Sequence, residues 1–129
     1  MITLTRVDHI NMTVKELDRS AEFYRSVFGF EPKESGVRNG RRWAILGVPD
    51  RLYLCLYETG ESAQAEDGKR VNHFGFHVEG FDGVEQSLRA MNVAIDHGPV
   101  DYGGSRSLYV IDPDGYEIEL SERLGGGLH

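Results

Sequence analysis

The chain has 129 residues, 40% of them hydrophobic and 27% charged, which are the proportions of an ordinary globular domain. A formal net charge of −7, with the basic residues forming no long run, works against a polyanionic partner, so nucleic acid is not expected. No apolar run approaches the roughly 20 residues that span a bilayer, the opening MITLTRVDHI lacks the marks of a secretory leader, and Cys55 is the only cysteine; no membrane partner and a cytoplasmic location are expected.

In chain order, a strand is expected over about 5–14 and then a helix in which Leu17, Ala21, Tyr24 and Phe28 share a face, with Asp18 as N-cap and Gly29 as stop. Three strands follow, near 31–37, 41–47 and 51–58. The order then recurs: a strand at 71–79, a helix with Val84, Leu88 and Met91 on one face, and strands at 93–97, 105–111 and 116–122. In that second helix Asp82 is the expected N-cap, Asp82 with Glu85 has capping-box spacing, and the stop falls near Asn92. VPDR and DPDG are turn sequences between the last two strands of each half.

Laid over itself at a shift of 64 residues, the chain repeats without a gap: Val7, His9 and Val14 meet Val71, His73 and Val78, and Pro49-Asp50 meets Pro113-Asp114. LYLCLYE falls on YEIELSE, so that Cys55 meets Glu119. The expectation is one α+β domain over 1–129, built from two βαβββ modules at about 5–60 and 70–123, with a frayed glycine-rich tail at 124–129.

Side chains alternate across a strand, so each strand divides by parity. Ile10, Met12 and Val14 oppose His9, Asn11 and Thr13; Phe74, Phe76 and Val78 oppose His73 and His77. Leu52, Leu54 and Leu56 oppose Tyr53, Cys55 and Tyr57; Leu108 and Val110 oppose Ser107 and Tyr109; Ile118 and Leu120 oppose Glu117 and Glu119. With helices over the aliphatic face, the second face carries His, Tyr and Cys, types that tend to be partly buried, rather than the Lys, Glu, Thr and Arg of a wet face. Two imidazoles at repeat-equivalent positions and one carboxylate make a facial triad that leaves coordination positions free, so His9, His73 and Glu119 are the expected ligands of one divalent metal ion. Glu119 is preferred to Glu117 because the repeat sets it against mid-strand Cys55. His77 is expected beside the site, supporting the ligands or lining the pocket.

These residues together resemble a known family. VDHI, VNHF, LDRSAEFYRSVFGF and DPDGYEIEL are similar to the vicinal oxygen chelate superfamily: glyoxalase I, bleomycin-resistance proteins, extradiol dioxygenases and fosfomycin-resistance thiol transferases. The resemblance runs from about 5 to 123. It implies that the modules form a cup-shaped mixed sheet around a metal, with helices on the outer face, and that the protein is a homodimer. It implies the same ligands, His9, His73 and Glu119, and Mn, Fe, Zn or Ni as the metal. Where glyoxalase I carries a glutamate that is both ligand and base, this chain has Cys55. A cysteine in that strand is similar to the glutathione-using fosfomycin enzymes, and Ser107 and Tyr109 match positions that line their phosphonate pocket. Their lysine near Pro99 and their potassium-binding loop, here DYGGSR, are not matched, and parity turns Arg106 away from Ser107.

The expected function is that of a metal-dependent enzyme acting on vicinal oxygens of a small-molecule substrate, with the metal as Lewis acid and thiol-transferase or lyase chemistry. An Fe(II) extradiol-type dioxygenase and a non-catalytic binder of a drug or metabolite are the alternatives. Tyr109, Glu117 and His77 are the candidate catalytic groups. Asn11, Trp43, Tyr53, Cys55, Tyr57 and Ser107 are the candidate substrate contacts, with the loop 97–106 and the segment 33–43 setting specificity.

Overall fold

A computed structural model of the chain describes residues 1, 7, 9–59 and 73–124. The segment before His9, the start of the second expected strand and most of the glycine-rich tail lie outside the described residues. The chain is α+β and divides into two units, 1–65 and 66–129, each carrying one four-stranded mixed sheet.

Module one contains β1 (His9–Val14), α1 (Leu17–Phe28), β2 (Glu31–Arg38), β3 (Arg41–Val48) and β4 (Leu52–Glu58), with strand order β1-β4-β3-β2. β1 runs parallel to β4, and the other pairs are antiparallel. The parallel pair requires a crossover, which α1 and the β2–β3 hairpin supply. The expected alternation holds: Met12, Val14, Leu54, Leu56, Ala44 and Leu46 are buried, and α1 packs on β3 and β4 through Leu17, Ser20 and Tyr24. Each such aliphatic side chain contributes about 1.5–3 kcal/mol when fully buried.

The ends of α1 show what the sequence pattern missed. Asp18 is not the N-cap: the helix begins at Leu17 after Glu16, and no side chain of the cap residue closes it. The Leu17 N–H instead donates to the Glu58 carboxylate at 2.7 Å, an acceptor 41 residues away on β4. Asp18, freed from capping, sits in the first turn and binds Arg42 on β3 at 2.7 Å. A carboxylate in a first turn is favourable whichever residue supplies it, and here tertiary contact replaced the local candidate. At the other end Gly29 takes φ +74, as expected of the stop. Asn39 and Gly40, both at positive φ, form the two-residue turn that a tight hairpin between β2 and β3 requires.

Module two repeats the plan with β5 (Phe74–His77), a 3-10 turn (Phe81–Gly83), α2 (Val84–Ala90), β6 (Ile95–Asp101), β7 (Arg106–Ile111) and β8 (Glu117–Ser121), in the order β5-β8-β7-β6. Phe81, Leu88, Leu108, Val110, Ile118 and Leu120 are its buried apolar side chains. Asp82 is likewise not an N-cap. It lies in the 3-10 turn and pairs with Arg106 at 2.9 Å, Gly83 precedes the helix, and Glu85 pairs with Arg89 rather than closing a capping box. The stop near Asn92 holds, with Asn92 at φ +56. Met91, expected on the buried face, lies past the helix end and is exposed. In the turn from β7 to β8 the buried Asp112 carboxylate accepts the N–H groups of Asp114 and Tyr116 at 2.8 and 2.9 Å. That pair of bonds fixes where β8 starts.

Candidate metal centre

In module two the register aligns Gly75, Glu119, Tyr109 and His97 across β5, β8, β7 and β6 on the non-aliphatic face, with His77, Ser121 and Ser107 in the next row. His73 stands just ahead of β5, and its Nε2 lies 3.2 Å from Glu119 Oε2. The other carboxylate oxygen, Oε1, accepts a 2.6 Å hydrogen bond from Ser107 Oγ. One oxygen is therefore anchored and the other faces the imidazole.

The donor set fits a divalent cation. Bonds of about 2.0–2.2 Å to an imidazole nitrogen and a carboxylate oxygen place neighbouring donors roughly 3.0–3.5 Å apart, and the His73–Glu119 separation of 3.2 Å falls in that range. Of the three expected ligands, the structure brings together His73 and Glu119. His9 opens β1 in module one, exposed and in register with Tyr53.

Tyr109 is 6% exposed, and three aromatic residues surround it. Its hydroxyl shares a 2.8 Å hydrogen bond with that of Tyr102, His73 meets its ring edge-on at 6.1 Å, and His97 stacks on it at 4.1 Å with planes 10° apart. Burial, then the Tyr102 hydrogen bond, then the nearby Glu119 charge push the Tyr109 phenol well above its ordinary range. Tyr109 is therefore a proton-bearing hydrogen-bond partner across the neutral pH range.

Glu117, half-buried, turns toward the other nitrogen of His73, with Oε1 3.9 Å from Nδ1. It also groups with Asp96 and His97, one donor atom of each lying within 4.8 Å of the others. His77 ends β5 opposite Ser121 and is exposed. Arg106 points to the helix face as parity requires: it binds Glu122 at 2.6 Å and lies 4.9 Å over the Phe81 ring. Those bonds push the Glu122 carboxyl down to about 2.

Module one presents a different surface on its corresponding face. Its rows read His9, Tyr53, Gly47; Asn11, Cys55, Ile45; and Thr13, Tyr57, Trp43, Gly36. The Tyr53 ring lies over Gly47 and the Trp43 indole over Gly36, where a Cβ would come within 2.7 and 2.8 Å of the rings. The candidate substrate contacts Asn11, Trp43, Tyr53, Cys55 and Tyr57 thus share one face.

The expected loop 97–106 is largely strand: β6 continues to Asp101, and a short turn then leads into β7. Asp96, His97 and Tyr102 were therefore missed by parity. Register shifts between Ile95 and His97 and between His97 and Val100 break the alternation there. The available signal was the Gly98-Pro99 pair, since glycine and proline inside a strand pattern mark a bulge. Gly98 has φ +98, and a Cβ on it would meet the Ser107 carbonyl oxygen at 2.8 Å.

Among the described residues no helix is long and apolar enough to cross a membrane. A family model described as the Glyoxalase/Bleomycin resistance protein/Dioxygenase superfamily matches residues 6–120. The chain is 33% identical over 123 residues to the lactoylglutathione lyase GLX1 of Arabidopsis thaliana, covering 89% of this chain but 43% of that protein. It is 31% identical over 128 residues to the lactoylglutathione lyase of Haemophilus influenzae, covering 88% of this chain and 90% of that one. Catechol-2,3-dioxygenase of Bacillus subtilis is 29% identical over 122 residues, with 90% and 41% covered. The fosfomycin resistance protein FosX of Listeria monocytogenes, solved with Mn(II) and sulfate, shares the fold at a TM-score of 0.69 and 23% identity, with 94% of this chain and 93% of that chain covered.

Proposed function

From the premise that this chain belongs to the Glyoxalase/Bleomycin resistance protein/Dioxygenase superfamily, we propose that it is a divalent-metal-dependent enzyme acting on vicinal oxygens of a small molecule, with His9, His73 and Glu119 as the metal's ligands. The observation that carries this reading is the pairing of His73 Nε2 with Glu119 Oε2 at 3.2 Å, while Ser107 anchors the second carboxylate oxygen. A carboxylate held in one orientation loses little freedom on binding a cation. The bound ion supplies Lewis acidity, stabilising negative charge that develops on substrate oxygens.

The chain's own residues divide the remaining work. Tyr109, kept protonated by burial and by Tyr102, supplies a fixed hydrogen bond beside Glu119. Trp43, Tyr53 and Tyr57 offer flat apolar contacts, with Asn11 and Cys55 between them. Cys55 occupies the position where glyoxalase I places its glutamate base, so lactoylglutathione lyase activity itself is not proposed; lyase or thiol-transferase chemistry on another substrate is. The similarity to a catechol-2,3-dioxygenase supports a second reading, an Fe(II) extradiol dioxygenase, since the same ligand type leaves room for a catecholate and dioxygen. Either reading is of a cytoplasmic homodimer.

Elemental analysis of the purified protein tests the site. The metal content is expected to fall by about one divalent ion per chain in His73→Ala and in Glu119→Gln; unchanged metal content in both variants refutes the assignment. Oxygen uptake with catechols in the iron-loaded protein separates the second reading from the first.

A further inference from the structure

The donor cluster of Asp96, His97 and Glu117 shares no residue with the ligand set just proposed. Its three side chains come from β6 and β8, which are not neighbours in the sheet, so β7 lies between them. The register break around His97 lets consecutive residues Asp96 and His97 turn their polar atoms together, with Oδ2 2.6 Å from Nδ1, instead of to opposite faces. One donor atom from each residue lies within 4.8 Å of the other two, close to the span of a coordination sphere with bonds of about 2.1 Å. The His97 ring is fixed by stacking on Tyr109 at 4.1 Å, so one ligand is held before any cation arrives.

Charge points the same way. Asp96, Glu117 and Glu119 stand together on this face, and among the described residues no lysine or arginine forms an ion pair with any of them. The nearest guanidinium on the same strand pair, that of Arg106, is on the opposite face and committed to Asp82 and Glu122. Two carboxylates whose partners among the described residues are imidazoles, not a lysine or arginine, match a cation of charge two. The mixed nitrogen and oxygen donors suit a transition ion such as Zn²⁺ or Mn²⁺ better than Mg²⁺ or Ca²⁺, which prefer all-oxygen shells. The side chains are open to an entering ion, at 42% exposure for Asp96, 46% for His97 and 28% for Glu117.

We propose that Asp96, His97 and Glu117 form a second divalent transition-metal site in module two, adjacent to but separate from the one at His73 and Glu119. His73 stands between them, offering Nε2 to Glu119 and turning Nδ1 toward Glu117.

The test is a titration of the metal-stripped, tag-free full chain with Zn²⁺, and separately with Mn²⁺, read by calorimetry and by elemental analysis after dialysis. Wild type is expected to bind two equivalents. Asp96→Asn and His97→Ala, both at half-exposed positions and with circular dichroism confirming the fold, are each expected to lose one equivalent or bind it at least tenfold more weakly. Glu119→Gln is expected to lose the other. If Asp96→Asn and His97→Ala bind both metals with wild-type stoichiometry and affinity, the second site is refuted whatever Glu119→Gln does. If those two variants lose a bound ion while Glu119→Gln loses none, the second site stands and the His73/Glu119 reading falls.

Discussion

Replacing Gly98 with alanine tests the bulge that carries His97. Its φ of +98 lies where side chains are strained, and the added Cβ would come within 2.8 Å of the Ser107 carbonyl oxygen and 3.2 Å of the Leu108 Cα. Both are backbone atoms of β7, so relief requires moving a strand. Gly103 supplies the control: its φ is +87, but nothing lies within 4 Å of a Cβ there. The conformational cost alone is about 1–2 kcal/mol, which is the loss expected for Gly103→Ala. The collision at Gly98 adds about 2 kcal/mol of overpacking, for a total near 3–4 kcal/mol. With a urea m-value of about 2 kcal/mol/M, the unfolding midpoint should fall by roughly 0.5–1 M for Gly103→Ala and 1.5–2 M for Gly98→Ala. Equal midpoint shifts in the two variants would show that β7 gives way freely and that the close approach does not constrain the bulge.

Three further outcomes are expected. Ser107→Ala removes a hydrogen bond to an ionised carboxylate, about 1.5–3 kcal/mol, so metal affinity measured by chelator competition should fall about 10–100-fold with the fold intact; unchanged affinity would show that Ser107 does not position Glu119. Glu122, held at about 2 by Arg106 against an ordinary 4.5, contributes stability that is present above pH 4.5 and is lost as pH falls toward 2. Glu122→Gln should therefore unfold with a shallower acid dependence across that window, and superimposable acid curves would contradict the pairing. Leu54→Ala, at a fully buried position, should lose about 2–5 kcal/mol in the same urea assay, and a loss under 1 kcal/mol would mean that the aliphatic face of module one is not a packed core.

Much of the architecture was legible because it rests on periodicities that a single strand or helix must obey. The gapless repeat, the burial of Leu54, Leu56, Leu108, Val110, Ile118 and Leu120, and the stop at Gly29 all follow from local pattern. What escaped the pattern is what a distant residue decides. Asp18 reads as a cap until Glu58, far along the chain, takes the helix N-terminus. Asp82 reads as a capping box until Arg106 claims it. His97 was invisible because a bulge changes which face a side chain takes, and parity has no means of placing the break. Parity set His73 and Glu119 on one face, and the Ser107 hydrogen bond that orients Glu119 emerged only from the register of β7 on β8.

Two copies of one scaffold, dressed so differently, uncouple properties that a single sheet would entangle. In module one the broad rings of Trp43 and Tyr53 rest on glycines, so the flat surface they present depends on positions 36 and 47 carrying no side chain. A library confined to positions 43, 45 and 57, which leaves Tyr53 beside His9 untouched, should shift which molecules are accepted while leaving metal content constant, and it makes the first half of the chain the natural place to look for divergence in preference among proteins of this plan.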